Sequence, residues 1–150
     1  MKIDAFGTNV WFRKFNVQSG YNFFFIRPVS YLDNNQNFYV ADFKQEILND
    51  DTSKTLLLKY NSSGLHQWSN TYNVTNSGLE RAKRIFYDNS SIIIDAESYN
   101  LHYALRIDQN GQLQWTKPIN HPVHSMKPDG LGNISVVGYK STYNRTEAAI

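Results

Sequence analysis

The chain contains no cysteine among its 150 residues, which excludes disulfide bonds and thiolate metal sites. Long apolar runs are also missing. The most apolar stretches are residues 23–26, 56–58 and 92–94, whereas a membrane-spanning helix needs roughly 18 apolar residues. The first residues have no apolar core of the kind found in signal peptides. We therefore predict no membrane insertion, and no signal peptide within this sequence.

A strong excess of one charge is absent as well. The net charge is +2, and acidic and basic residues are scattered along the chain. The longest basic cluster is Arg81, Lys83 and Arg84, which is far shorter than the basic footprint of a nucleic-acid-binding protein. We interpret this cluster as a solvated strand or loop, with an anion contact as the alternative, and we predict no nucleic-acid partner.

Catalytic and cofactor motifs are missing too. The sequence has no Gly-x-Ser-x-Gly, Walker or dinucleotide fingerprint, and no Ser-His-Asp order. His121 and His124 form the only close imidazole pair, and residues three apart on a strand point to opposite faces. His66 and His102 stand alone and are predicted to lie at the surface. We predict no catalytic residue, no cofactor and no histidine metal site.

An acidic stretch is the remaining candidate for a cation. Glu46, Asp50 and Asp51 supply oxygen atoms, which hard cations prefer. The regular Asp-x-Asp-x-Asp-Gly spacing of known cation loops is absent here. The prediction is therefore that no metal is bound.

One motif is present three times and contains every tryptophan of the chain. It reads [KR]-[IY]-[DN]-x-x-G-x-x-x-W-x-x-x-[FYI]-N, and its copies cover residues 2–16, 59–73 and 106–120 without gaps. Their glycines and tryptophans are Gly7 and Trp11, Gly64 and Trp68, and Gly111 and Trp115. An internal recurrence at about 20–50 residues is typical of solenoids, propellers and arrays.

Each copy of the motif has the composition of a β-hairpin. The glycine ends a polar tetrad, such as residues 61–64, and β-prone residues flank that tetrad. Asx residues favour tight turns, and glycine accepts a positive φ. The tryptophan follows four residues later, where we predict that its ring covers the seam against a neighbouring unit. The glycines and tryptophans are therefore predicted to be structural.

A second recurrence lies between these hairpins. Polar turns at Asp33, Asp88 and Asp129 each lead into a short strand, and further strand candidates precede them at residues 23–31, 82–87 and 121–126. The result is four short strands per unit with no helical period. Residues 42–54 are charged and asparagine-rich, and we predict that they form a surface loop between the second and third strands of their unit.

Four strands in a unit of about 50 residues match the blade of a β-propeller. We predict an all-β chain with an outer hairpin arm at residues 1–16, blades at 17–73 and 74–120, and a partial blade at 121–150. Propellers have roughly four to eight blades, so two interpretations stay open. The chain is a fragment of a longer propeller, or two copies close a six-bladed ring in which the arm of one completes the last blade of the other.

The motif, together with the Gly-Asn-Ile-x-Val-Val-Gly strand at residues 132–138, resembles the repeats of bacterial secreted β-propellers of the SBBP (seven-bladed β-propeller) type. It is also similar to quinoprotein-like repeats, although their turn is one residue longer and carries a Thr-Gly pair. The Asp-box of sialidases has a different spacing. The resemblance implies an extracellular or cell-surface location and a noncatalytic binding or scaffold role within a larger protein.

The expected partner is a protein or a glycan, held by loops on a rigid framework. Tyrosines at predicted loop positions are candidates for that contact, namely Tyr21, Tyr99, Tyr139 and Tyr143. Packing within the strands is the alternative for these side chains. The alternative function is part of a propeller enzyme, a hydrolase or a quinoprotein type, whose catalytic residues lie outside or across this segment.

Overall fold

The computed structural model describes residues 1–13, 21–23, 28–46, 49–75, 80–99, 101–142 and 145–149. Residues 21–23, 46, 49–52, 140–142 and 145–149 are described by their backbone alone. All regular secondary structure in these ranges is β-strand, so the all-β prediction is confirmed.

The strands form four antiparallel sheets that follow one another along the chain. Sheet I is the hairpin of β1 (Lys2–Ile3) and β2 (Asn9–Trp11). Sheet II contains β3 (Tyr21–Phe23), β4 (Val29–Leu32), β5 (Phe38–Glu46), β6 (Asn49–Tyr60) and β7 (His66–Tyr72). Sheet III contains β8 (Glu80–Asp88), β9 (Ser91–Ser98), β10 (Leu101–Asp108) and β11 (Leu113–Ile119). Sheet IV contains β12 (Val123–Pro128), β13 (Ile134–Thr142) and β14 (Arg145–Ala149).

Strand order in sheets I, III and IV is sequential, since each strand pairs with the next one along the chain. Sheet III has the order β8-β9-β10-β11, and sheet IV has the order β12-β13-β14. In sheet II both β3 and β4 pair with β5, so two short strands share the position that β8 holds alone in sheet III. Hairpins through Gly64 and Gly111 connect β6 to β7 and β10 to β11, as the motif predicts.

The prediction of a surface loop at residues 42–54 is wrong. Strand β5 continues to Glu46 and β6 begins at Asn49, with Asp42 opposite Leu56 and Gln45 opposite Ser53. The charged composition suggested a solvated loop, but β5 has a ladder partner on both sides in this region, because β3 pairs with its far end. Regular backbone hydrogen bonding therefore extends both strands beyond the length seen in sheet III.

Three consecutive isoleucines show how the sheets stack. Ile92 and Ile94 on β9 point into a core shared with sheet II, and Ile93 points into a second core shared with sheet IV. Successive side chains on a strand alternate between faces, so a strand that is covered on both faces reads as an unbroken apolar run. Sheet III is thus packed between its two neighbours.

Asp42 places an ionisable carboxyl group within this packing. Its side chain is buried on β5, and one carboxylate oxygen has no hydrogen-bond partner among the described residues. Burial raises the pKa of Asp42 to about 6 from its ordinary value of 3.8. The folded state therefore favours the neutral form of this carboxyl more than the unfolded state does. The stability that protonation provides is lost as the pH rises from about 4 through 6.

Asp42→Asn should consequently stabilise the fold more at neutral than at acidic pH. We expect the difference in unfolding free energy between variant and wild type to grow by about 2 kcal/mol between pH 4 and pH 7.5. Denaturant unfolding at both values measures it. Asp4→Asn is the control, since Asn61 fills the same motif position. If the difference in unfolding free energy between Asp42→Asn and wild type did not depend on pH, the raised pKa assigned to Asp42 would be contradicted.

Candidate functional site

The three copies of the motif make the same turn. The side-chain oxygen of Asp4 accepts hydrogen bonds from the backbone N–H groups of Phe6 and Thr8, at 2.9 and 2.8 Å. Asn61 and Asp108 accept from the residues two and four positions further on in the same way. The following glycines, Gly7, Gly64 and Gly111, have φ values of +82°, +73° and +83°, which glycine adopts without a steric penalty.

The tryptophan of one sheet covers the glycine of the next. A β-carbon on Gly64 would lie 2.5 Å from the ring of Trp11, and one on Gly111 would lie 3.2 Å from the ring of Trp68. The indole N–H groups of Trp11 and Trp68 donate to the carbonyl oxygens of Ser62 (3.3 Å) and Gln109 (3.2 Å). We call this arrangement the Trp–Gly joint. It explains why the motif requires glycine for space as well as for φ.

The cationic residue that begins the motif also connects neighbouring sheets. The ammonium of Lys59 donates to the carbonyl oxygen of Gln109 at 3.1 Å, and the guanidinium of Arg106 donates to that of Gly132 at 3.0 Å. In both cases the donor and the acceptor belong to successive sheets. The sequence identified this position as part of the motif but did not indicate what it contacts.

A cleft opens where the turns of sheets II, III and IV converge. Its volume is about 490 Å³, which lies within the usual range of about 300–1,000 Å³ for small-molecule sites. We call it the turn cleft. Its walls are mostly tyrosine, amide and hydroxyl groups: Tyr31, Asn34, Asn35, Tyr87, Asp88, Asn89, Ser90, Gln109, Pro128 and Gly130.

Two tyrosines give the turn cleft an aromatic wall. The rings of Tyr31 and Tyr87 are stacked, with centroids 6.0 Å apart and planes inclined by 13°. Tyr87 also contacts the buried ring of Tyr39 at 6.2 Å. The side-chain amide of Gln109 donates to the hydroxyl of Tyr87, and the backbone of Gln109 is fixed by the Trp–Gly joint. The wall is therefore held on packed elements rather than on free loops.

A buried carboxylate contributes to the lining of the turn cleft. The side chain of Asp88 has no exposed area, and one oxygen lies 3.5 Å from the guanidinium of Arg106. The other oxygen is buried without a hydrogen-bond partner among the described residues. Buried polar atoms are ordinarily paired, so this oxygen is an unsatisfied acceptor within the wall of the cleft. Arg106 in turn donates to Ser91 and Gly132, which fixes the pair.

The turn beside Asp88 has an unusual backbone. Asn89 and Ser90 connect β8 to β9 with φ values of +45° and +72°. This is the two-residue hairpin geometry in which glycine is the usual second residue. A serine at a left-handed position costs on the order of 1 kcal/mol and retains a hydroxyl group at the cleft. Such strain is typical of functional sites.

The two sequence-predicted tyrosines whose side chains the structure describes do not line the turn cleft. Tyr99 and Tyr139 are exposed, with 67% and 42% of their surface accessible, and lie elsewhere. The side chain of Tyr21 and all of Tyr143 lie outside the described residues. Sequence reasoning missed Tyr31 and Tyr87; the available signal was an aromatic residue just before the polar turns at Asp33 and Asp88.

The prediction that His102 is a surface residue is wrong. Its side chain is buried, and Nδ1 lies 2.9 Å from Oδ1 of Asp95, which is itself fully buried. The two residues are seven apart in sequence but lie two positions out of register on the adjacent strands β9 and β10. Strand pairing creates this contact, and no local pattern indicates it. His66, in contrast, is exposed.

The basic cluster is paired with carboxylates rather than left to solvent. Arg81 and Lys83 both approach Glu97 at 2.9 Å. Burial raises the pKa of Glu97, but the hydrogen bonds and charges of these two cations together outweigh it and hold the pKa below its ordinary value. Arg84 binds Asp95 and donates to the carbonyl oxygen of His124 on β12 at 2.7 Å. The prediction of a solvated face therefore fits Arg81, which is half-exposed, but not Arg84.

The candidate metal ligands are not brought together in the described residues. His121 is half-buried with Nδ1 unpaired, while His124 is exposed. The side chains of Glu46, Asp50 and Asp51 lie outside the described set, so their role stays a prediction. Within the described ranges, no group of three or more acidic or histidine side chains is placed to hold a metal ion.

Across the described residues, no helix has the length and apolar character to cross a bilayer.

The candidate site consists of the turn cleft, supported by the two Trp–Gly joints and by the cations that bridge the sheets. A comparison with protein-family models finds no match for this chain, and a comparison with curated proteins finds none either.

Proposed function

We propose that sheets I to IV are successive blades of a β-propeller, and that this chain is a noncatalytic module that binds a neutral glycan in the turn cleft. Sequential antiparallel strand order and shared cores between successive sheets support the propeller arrangement. An extracellular or cell-surface location follows from the resemblance to secreted propellers and is part of the proposal.

The chemistry of the turn cleft carries the glycan assignment. A sugar ring presents an apolar face, which packs on aromatic rings, and hydroxyl groups, which need donors and acceptors. The rings of Tyr31 and Tyr87 supply the first requirement, and the amides of Asn34 and Asn35 supply donors and acceptors. The hydroxyl of Ser90 supplies a further donor and acceptor. The carboxylate of Asp88 is paired with Arg106, so the wall carries no unbalanced positive charge for an acidic sugar, and a neutral sugar is favoured.

Binding is favoured over the hydrolase alternative by the number of carboxylates. Asp88 is the one acidic residue among the described residues that line the turn cleft. Hydrolysis of a glycosidic bond ordinarily uses two carboxyl groups in opposed roles. The wall is otherwise neutral, which suits recognition rather than acid–base chemistry.

Ser90→Gly tests the proposal without disturbing the fold. The wild-type chain is first screened against immobilised neutral oligosaccharides, and the affinity of the best ligand is measured by calorimetry. We expect Ser90→Gly to weaken binding about tenfold, because a hydrogen-bonding hydroxyl is lost. Its unfolding free energy should stay within about 0.5 kcal/mol of wild type, since relief of the positive φ offsets the added freedom of the unfolded chain.

Ser63→Gly is the matched control, because Ser63 is an exposed turn residue of sheet II that does not line the cleft. It should leave the affinity unchanged. Retention of no neutral oligosaccharide by the wild type would reject the glycan assignment. Equal affinities of wild type and Ser90→Gly would show that the ligand does not bind in the turn cleft.

A further inference from the structure

The first and last copies of the motif each hold one half of a Trp–Gly joint. Among the described residues, no atom lies within 4 Å of the β-carbon position of Gly7, whereas a tryptophan of the preceding sheet covers Gly64 and Gly111. Trp115 is half-buried against sheet IV, but among the described residues its indole N–H has no acceptor. We propose that Trp115 of one copy of this chain packs on Gly7 of a second copy, forming a third joint of the same kind.

The exposed surface of sheet I supports this assignment. Ile3 holds the motif position of Ile107, yet Ile3 is 50% exposed and Ile107 is fully buried. Phe6 is 94% exposed where the other copies of the motif have Ser63 and Asn110. Exposed apolar residues at positions that are polar or buried in the other copies indicate a surface that is covered in an assembly.

The two joints within the chain indicate which residues form the partner surface. The residue two positions after the tryptophan also contacts the covered glycine, since Arg13 and Asn70 donate to the carbonyl oxygens of Gly64 (2.8 Å) and Gly111 (2.9 Å). Lys117 holds this position after Trp115 and is exposed. In the third joint, Trp115 covers Gly7 of the second copy and Lys117 reaches its carbonyl oxygen.

Sheets I and IV are also complementary in the strands that they contain. Among the described residues, sheet III carries an outer hairpin between β10 and β11, sheet IV has three strands, and sheet I consists of the corresponding hairpin. A second copy that places its sheet I beside β14 gives sheet IV the outer hairpin of sheet III. The contact is head-to-tail, and two such contacts between two copies close a ring. The ring closure, and with it the dimeric mass expected below, rests on the propeller arrangement proposed above.

The experiment measures the solution mass of the 150-residue chain and two joint variants by light scattering at micromolar concentration. The wild type should have twice the chain mass of 17.4 kDa. Trp115→Ala and Gly7→Asn should each be monomeric. Asparagine tolerates a positive φ, so Gly7→Asn keeps the turn and blocks the joint even if Trp115→Ala disturbs sheet III. Gly130→Asn is the matched control, because Gly130 has a φ of +80° and equally open surroundings, and it should remain dimeric.

Mixing the two monomeric variants separates this joint from other contacts. Each variant retains the half that the other lacks, so the mixture should form dimers through one intact joint. A monomeric wild type would overturn the proposal and would favour a different segment of a longer protein as the occupant. Dimers that persist in both variants would overturn it as well. Ser90→Gly should not change the mass, so failure of the glycan proposal is distinguishable from failure of this one.

Discussion

Trp68→Ala should lower the free energy of unfolding by about 3 kcal/mol, which is the scale expected for truncating a large ring in a packed site. The ring packs against the core between sheets II and III and covers Gly111, and its indole N–H donates to Gln109 at 3.2 Å. The substitution removes the ring and leaves a cavity over the turn, where Asn70 remains as a neighbour of Gly111. Denaturant unfolding followed by circular dichroism measures the loss.

Leu65→Ala is the control for this prediction. Leu65 follows Gly64 in the same hairpin and is 56% exposed, so its truncation should change the unfolding free energy by less than about 0.5 kcal/mol. A folded Trp68→Ala protein with the wild-type melting temperature would show that Trp68 is not structural, and a role in ligand contact would then be considered.

Arg84→Met is expected to destabilise the fold by a similar amount, about 3 kcal/mol. Arg84 pairs with Asp95, whose side chain is fully buried. Its guanidinium also donates to the carbonyl oxygen of His124, which ties sheet III to sheet IV. Removing the cation leaves a buried carboxylate with His102 as its one remaining side-chain partner among the described residues. Thermal and denaturant unfolding both detect this change.

Arg81→Met provides the matched comparison on the same strand. The side chain of Arg81 is 53% exposed, and its partner Glu97 is also paired with Lys83. Solvent-exposed ion pairs contribute little, so the expected loss is less than about 1 kcal/mol. Equal losses for the two variants would mean that burial does not distinguish these ion pairs, which would contradict the role given to Arg84.

Local patterns in the sequence were sufficient for the strands and for the outer turns. The Asx residue and the glycine of the motif act within one turn, through hydrogen bonds two to four residues apart, so their spacing predicts the hairpin directly. The β-branched run Ile92 to Ile94, directly after the polar turn at Asp88, likewise predicts a strand. Residues 42–54 were misjudged, because their composition resembles a loop while their ladder partners are distant in sequence.

The turn cleft and the ionic network required the tertiary structure. Tyr31 and Tyr87 belong to different sheets and are 56 residues apart in the numbering, yet their rings stack at 6.0 Å. His102 and Asp95 meet because β9 and β10 pair. Arg84 reaches Asp95 from the neighbouring strand β8. Contacts of this kind depend on strand register and on the packing of one sheet against another.

The sequence by itself determined the all-β class, the hairpins and the positions of the glycines and tryptophans, because turn geometry and strand alternation are local properties of the chain. Only the tertiary structure decided which tryptophan covers which glycine, which charges are buried, and where the turns converge into a cleft. These features arise between sheets, where the interacting residues are far apart in sequence and are brought together by burial of the apolar faces.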